Sequence, residues 1–149
     1  MAPLMDTTAE PRGFRQEWPG SYNPAMQYLL LVYIDPPLLA AAAPGEFDSE
    51  MRDCLLHADE MARDGRLLGS QQLEDPATAK TVRVRGGRTS VFDGPFAETK
   101  EVLAGFNLVE ADSLEDAVRM AREFPWSRYG SIEVRPVRDI AAVRRQVGV

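Results

Sequence analysis

Residues 27 to 34 read Gln-Tyr-Leu-Leu-Leu-Val-Tyr-Ile, a run too short for a helix and rich in branched and aromatic side chains. It predicts a strand, ended by Asp35-Pro36-Pro37. Alternation puts Tyr28, Leu30, Val32 and Ile34 on one face and Leu29, Leu31 and Tyr33 on the other, so both faces are apolar and each needs a cover. An Ala-rich connection from Leu38 to Gly45 follows, and helical signals begin at Asp48 or Ser49. Met51, Cys54, Leu55, Ala58, Met61 and Ala62 recur at helical spacing on one stripe, which Gly65 ends. Asp53, Glu60 and Asp64 lie opposite that stripe, and His57 falls on its border.

Arg66 to Leu73 reads as a strand closed by Glu74-Asp75-Pro76. Two alternating runs, Thr81 to Arg85 and Arg88 to Phe92, meet across Gly86-Gly87 as a hairpin whose polar face carries Arg83 and Arg85. A further strand runs from Val102 to about Glu110. Ser113 with Asp116 resembles a capping box and opens a second helix with the stripe Leu114, Ala117, Val118, Ala121 and Phe124, stopped by Pro125. Ile132 to Arg135 before Pro136 is a short last strand, placed at an edge because proline cannot donate to the ladder. The order β-α-β, hairpin, β-α-β predicts an α+β fold on the ferredoxin-like split β-α-β plan, with an inserted hairpin and the helices on one face of an antiparallel sheet. Two helices cover one face only, so a second subunit is expected to cover the other in a symmetric homodimer. Residues 1–25, with Pro3, Pro11, Pro19 and Pro24 and no period, are expected to be a flexible arm; 26–138 form the domain and 139–149 a C-terminal tail.

Composition narrows the function classes. The chain has 149 residues, the length of one domain, and its 17 Lys and Arg against 23 Asp and Glu leave a net charge of −6. A pI near 4.8 argues against a nucleic-acid partner, since phosphate binding is driven by clustered positive charge. One cysteine and one histidine exclude an intramolecular disulfide and Cys/His zinc clusters. No run approaches the roughly 20 apolar residues of a membrane helix and no signal-peptide pattern opens the chain, so no membrane partner and a cytoplasmic location are expected. The absence of G-x-G-x-x-G, P-loop and G-x-S-x-G motifs argues against dinucleotide, nucleotide and serine-hydrolase chemistry, and neither cofactor nor metal is implied.

The run Asp93-Gly94-Pro95-Phe96-Ala97-Glu98-Thr99-Lys100-Glu101 resembles the signature of the DGPF group within the YCII-related family. Tyr28-Leu29-Leu30, Thr81-Val82-Arg83 and Ile132-Glu133-Val134-Arg135-Pro136-Val137 support the resemblance, which spans Met26 to about Arg138. It implies a ferredoxin-like α+β fold assembled as a dimer of the α/β-barrel type. It also implies a His and an Asp in a cleft, the catalytic pair attributed to YCII members, and the association of some DGPF members with extracytoplasmic-function sigma factors. It names no reaction.

His57, the single imidazole, is suited to general-base work near neutral pH if a carboxylate orients it, although Asp53 and Glu60 on its own helix could equally pair with it. Counting back from Gly65, the YCII histidine would fall near Cys54, one turn earlier, and Cys54 itself reads as a small core hydrophobe. Asp35 closes the first strand and matches the Asp of YCII-related sequences, while also suiting a turn before Pro-Pro. Asp93 could orient His57 or bind a ligand, or serve the Asp-Gly-Pro turn, with Phe96 packed behind it. Arg83, Glu98 and Lys100 are candidate ligand-binding residues, forming with Arg85 and Glu101 an ionic rim to a pocket. Two readings follow. One is a small enzyme or ligand binder using His57 with Asp35 or Asp93 on a small organic substrate, in a cleft between the first helix and the sheet. The other is a non-catalytic module that engages a sigma factor or similar regulator through the acidic helix face or the N-terminal arm.

Overall fold

A computed structural model describes residues 27–149 of the chain; the arm expected over 1–25 lies outside them. Strand β1 (Gln27–Ile34) has the predicted bounds and is bonded on both sides, in a four-stranded sheet of order β2-β5-β1-β6. β2 spans Leu67–Gln72, β5 Val102–Glu110 and β6 Gly130–Pro136, and every pairing is antiparallel. β6 is an edge strand, as the proline at its end requires. The fold is mixed α+β, and no closed barrel forms among the described residues.

Alternation in β1 builds the core. Tyr28, Leu30, Val32 and Ile34 are buried and pack with Cys54 and Met61 of α2 (Glu46–Arg63) and with Ala117, Met120 and Ala121 of α3 (Leu114–Arg122). Leu29, Leu31 and Tyr33 point the other way and stay only half-buried, beside Leu103, Phe106 and Leu108 of β5. The second sheet face is therefore apolar and only half-buried, and Glu133 and Arg135 of β6 pair with each other at 2.7 Å on that side.

Local chemistry accounts for most boundaries. Ser113 Oγ accepts from Asp116 N–H, the expected capping bond, while Asp116 Oδ2 accepts from the N–H of Asp112, one residue before the cap, rather than from Ser113 itself. α2 starts earlier than anticipated, at Glu46, because Gly45 takes the left-handed region (φ 80°) and Glu46 Oε2 reaches back to accept from Ala43 N–H at 2.7 Å. The connection after β1 holds a short helix, α1 (Pro36–Ala40), whose opening prolines are already set at helical φ. The segment expected as a tail contains α4 (Ile140–Val147), capped by Asp139 and ended by Gly148.

The hairpin forms as read, with β3 (Lys80–Arg85) and β4 (Arg88–Asp93) joined by Gly86 and Gly87, both at positive φ. It is a separate two-stranded sheet. Val82 and Val91 pair across it and both are exposed, as is Val84, while an ion pair between Lys80 and Asp93 closes its base.

Two glycines in the main sheet are dictated by close approach. A Cβ on Gly130 would lie 2.0 Å from Tyr33 O, and one on Gly105 would lie 2.6 Å from Gln71 O. Gly130→Ala is expected to cost about 1–3 kcal/mol of stability or more, since neither contact atom is a side chain that can swing away. Urea unfolding checks this, and an unchanged midpoint would show that β6 has room to shift.

Candidate functional site

Four environments hold the residues singled out in the sequence. Asp35 sits where β1 gives way to α1. Its backbone N–H donates to Tyr129 O at 2.8 Å and its backbone O accepts from Leu39 N–H, which anchors the residue on both sides. The side chain is buried, the residue being 4% exposed, yet it makes no capping bond to α1. Oδ1 has no hydrogen-bond partner among the described residues, and Oδ2 lies 3.7 Å from Nζ of Lys100, whose own side chain is exposed. A carboxylate taken out of water with one oxygen unserved is costly.

Tyr129, which holds Asp35 through the backbone, carries a second unserved group. Its hydroxyl is buried without a well-formed hydrogen bond, and burial first, then the neighbouring carboxylate of Glu46, pushes its pKa above the ordinary phenol range. Phe47, Trp126 and Tyr129 stack in sequence, with centroids 6.0 Å and 6.2 Å apart, and form an aromatic wall at the start of α2.

Between α2 and the sheet lies a cleft of about 330 Å³. Val32, Ile34, Leu39, Met51, Ala58 and Trp126 supply apolar walls, and Ser70, Gln72 and Asn107 supply polar groups from β2 and β5. Ile34 and Pro36, the neighbours of Asp35, both line it. The cleft explains why Leu55, expected in the buried stripe, is 51% exposed: it stands at the border of a space that the sheet floor does not fill. Cys54 is buried on this wall, and burial raises its thiol pKa against the smaller opposing effect of a hydrogen bond from Trp126.

His57 belongs to a different place. Its Nε2 lies 2.9 Å from Glu123 Oε2, close enough for a charge pair but off the line of a good hydrogen bond, and its ring meets Phe124 edge-on at 5.6 Å. Both border a shallow polar groove between α2 and the end of α3, where Arg128 also pairs with Glu50. The carboxylate beside the imidazole is thus neither Asp53 nor Glu60, the helical neighbours expected from spacing.

Asp93 is exposed in the hairpin and engaged by Lys80. Arg83 lies over the Phe92 ring at 5.7 Å, Glu98 is exposed, and Glu101 accepts from Ser131 Oγ at 3.2 Å. Phe96, expected behind the turn, is 80% exposed, because the hairpin offers no core for it to enter. Asp35 and Lys100 are brought together; no ion pair or hydrogen bond among the described residues joins His57, Asp35 and Asp93 to one another.

Residues 26–141 match the YCII-related domain family. The chain belongs to the YCII-related family. An uncharacterised protein of Rhizobium meliloti (strain 1021) is 38% identical to this YCII-related chain over 114 residues, covering 75% of this chain and 92% of the relative. No described helix is long and apolar enough to cross a membrane.

Tyr129, Trp126 and Glu123 reach their sites through tertiary packing and carry no sequence signal. Asn107 carried one, a carboxamide among the apolar positions of β5.

The raised pKa values of Cys54 and Tyr129 set a pH dependence. Both groups ionise more readily unfolded, so their contribution to stability is full below the ordinary thiol value of 9.0 and is lost as pH rises through the raised folded values. The free energy of unfolding should fall between about pH 8 and about pH 10.5, less steeply in Cys54→Ala and Tyr129→Phe. Urea titrations across that range check it, and variants as steep as the parent would locate the titration elsewhere.

Proposed function

We propose that this YCII-related protein is a homodimer of ferredoxin-like subunits of the DGPF group, working in the cytoplasm. In this reading it binds a small organic molecule in the cleft beneath α2, with Asp35 as the polar group that holds the molecule or exchanges a proton with it. The observation that carries the reading is the buried Asp35 carboxylate, one oxygen without a partner, at the strand end that borders an apolar cleft. Clefts of this kind, apolar with few polar groups, are the usual form of small-molecule sites. Lys100 supports it as a cation within Coulomb reach of the carboxylate, supplied by the Asp93–Glu101 run. The reading rests on Asp35 because the His57 imidazole faces Glu123 and the Asp93 carboxylate faces Lys80.

A fragment screen followed by amide NMR tests it. Bound fragments should perturb Val32, Ile34 and Cys54, and Ala58→Trp, which fills the cleft, should abolish binding. Asp35→Asn should weaken fragments with an N–H or O–H donor by roughly tenfold, the worth of a charge-assisted hydrogen bond. Binding that survives Ala58→Trp sinks the reading.

The order β2-β5-β1-β6, with α2 joining β1 to β2 and α3 joining β5 to β6, supports the ferredoxin-like assignment. The half-buried apolar face of Leu29, Leu31, Tyr33, Phe106 and Leu108 supports the dimer, since a contiguous apolar patch on a sheet face marks an association surface. Leu31→Glu should halve the sedimenting mass of a wild-type dimer; a wild type that sediments as a monomer at micromolar concentration rules the dimer out.

A second reading keeps the chain as an interaction module, engaging a sigma factor or similar regulator through α2. It is favoured by the exposed Leu55 and Leu56 on a helix that also carries Glu46, Asp48, Glu50, Asp53, Asp59 and Glu60.

A further inference from the structure

The floor of the cleft carries a buried group with hydrogen-bonding capacity to spare. In the register of the sheet Asn107 stands between Leu30 of β1 and Ser70 of β2, and it is 7% exposed. Its Oδ1 accepts from Ser70 Oγ at 2.7 Å, while among the described residues its Nδ2 donates to nothing. With the Ser70 hydroxyl donating to Oδ1, the amide nitrogen is the end left for another partner. Both residues line the cleft. One pleat along, Gln72 also lines it, and its Nε2 lies 3.2 Å from the Met51 sulfur, a weak acceptor that a stronger one would displace. At the rim stand Glu74 and Asp75, so an anion would be repelled on entry.

We infer that the cleft selects neutral, largely apolar molecules bearing a carbonyl-type hydrogen-bond acceptor, which Asn107 Nδ2 recognises from the floor with Gln72 as a second donor. This deepens the small-molecule reading above and rests on it: the walls take the carbon skeleton, and the carboxamides read one oxygen. Discrimination follows from the cost of the alternative. A ligand of the same shape without an acceptor would seal a buried N–H against hydrocarbon, and sites with buried polar groups reject such analogues more strongly than they reject small changes in size.

Acetophenone and α-methylstyrene have the same shape and differ by C=O against C=CH₂, so they separate recognition of the oxygen from filling of the space. Their dissociation constants for the full chain can be compared by amide NMR titration. Wild type is expected to bind acetophenone several-fold more tightly than α-methylstyrene, despite the greater hydrophobicity of the hydrocarbon. The double variant Ser70→Ala/Asn107→Leu, which leaves no hydroxyl stranded, should reverse the order. Asn107→Asp, which keeps the shape and replaces the donor with an acceptor, should lose acetophenone if the double variant does not fold, and Ala58→Trp should lose both probes. Wild type binding both probes equally, or favouring the hydrocarbon, would overturn the acceptor inference while leaving the cleft as a ligand site. Wild type binding neither would overturn the cleft reading and this inference with it.

Discussion

Strand β1 is hydrogen-bonded along both edges and apolar on both faces, and the rest of the described fold is arranged around those two facts. Its backbone groups are served by β5 and β6, so it can lie at the centre without unpaired amides. Its even-numbered side chains, with Leu30 fully buried, are what α2 and α3 pack against. Its odd-numbered side chains lie on the opposite face, where they are only half-buried. β6 must come close to it and uses Gly130, where a Cβ would collide with the backbone of Tyr33, just as β5 uses Gly105 where it meets the Gln71 backbone of β2. The last residue of β1 hands the chain to Asp35, held on both sides by the backbone and buried.

The cleft has an equally local cause. α2 is seated where Met61 is fully buried, near the start of β2. Farther along, the sheet presents Ser70, Gln72, Gly105 and Asn107 beneath the helix, none of which has a large apolar side chain to meet Met51, Leu55 and Ala58. A helix is too stiff to sag into such a gap, so the space persists between apolar walls and a polar floor. The features that weaken packing there are those that a small-molecule site needs: room, an apolar lining and a few oriented polar groups. The carboxamide of Asn107 marks the polar floor, while Ile34 and Pro36, on either side of the buried Asp35 in sequence, belong to the walls.

The secondary structure was largely legible because each element is signalled by local chemistry. The bounds of β1 and β5, the Ser113 cap, the two-glycine hairpin turn and the edge position of β6 all follow from residues within a few positions of one another. The α2 start was less legible, since it depends on Gly45 taking a left-handed φ and on Glu46 turning back on Ala43. Periodicity also overstated burial: Leu55 and Phe96 are apolar at positions where apolar residues usually pack, yet both are exposed. A stripe shows which side of an element is apolar but not whether the opposing surface reaches it.

From the sequence alone came an acidic single-domain chain, an order of elements, a central strand in need of two covers, and Asp35, Lys100, His57 and Asp93 as polar residues able to do chemistry. Tertiary structure alone decided which of them meet. It brought Lys100 to Asp35, gave His57 to Glu123 and Asp93 to Lys80, and placed Trp126, Ser70 and Asn107 around the cleft. The reason is physical. Helix and strand periods act over a few residues and can be read along the chain. A site is built from contacts between residues far apart in sequence, which exist only once the sheet register and the seat of the helix are set.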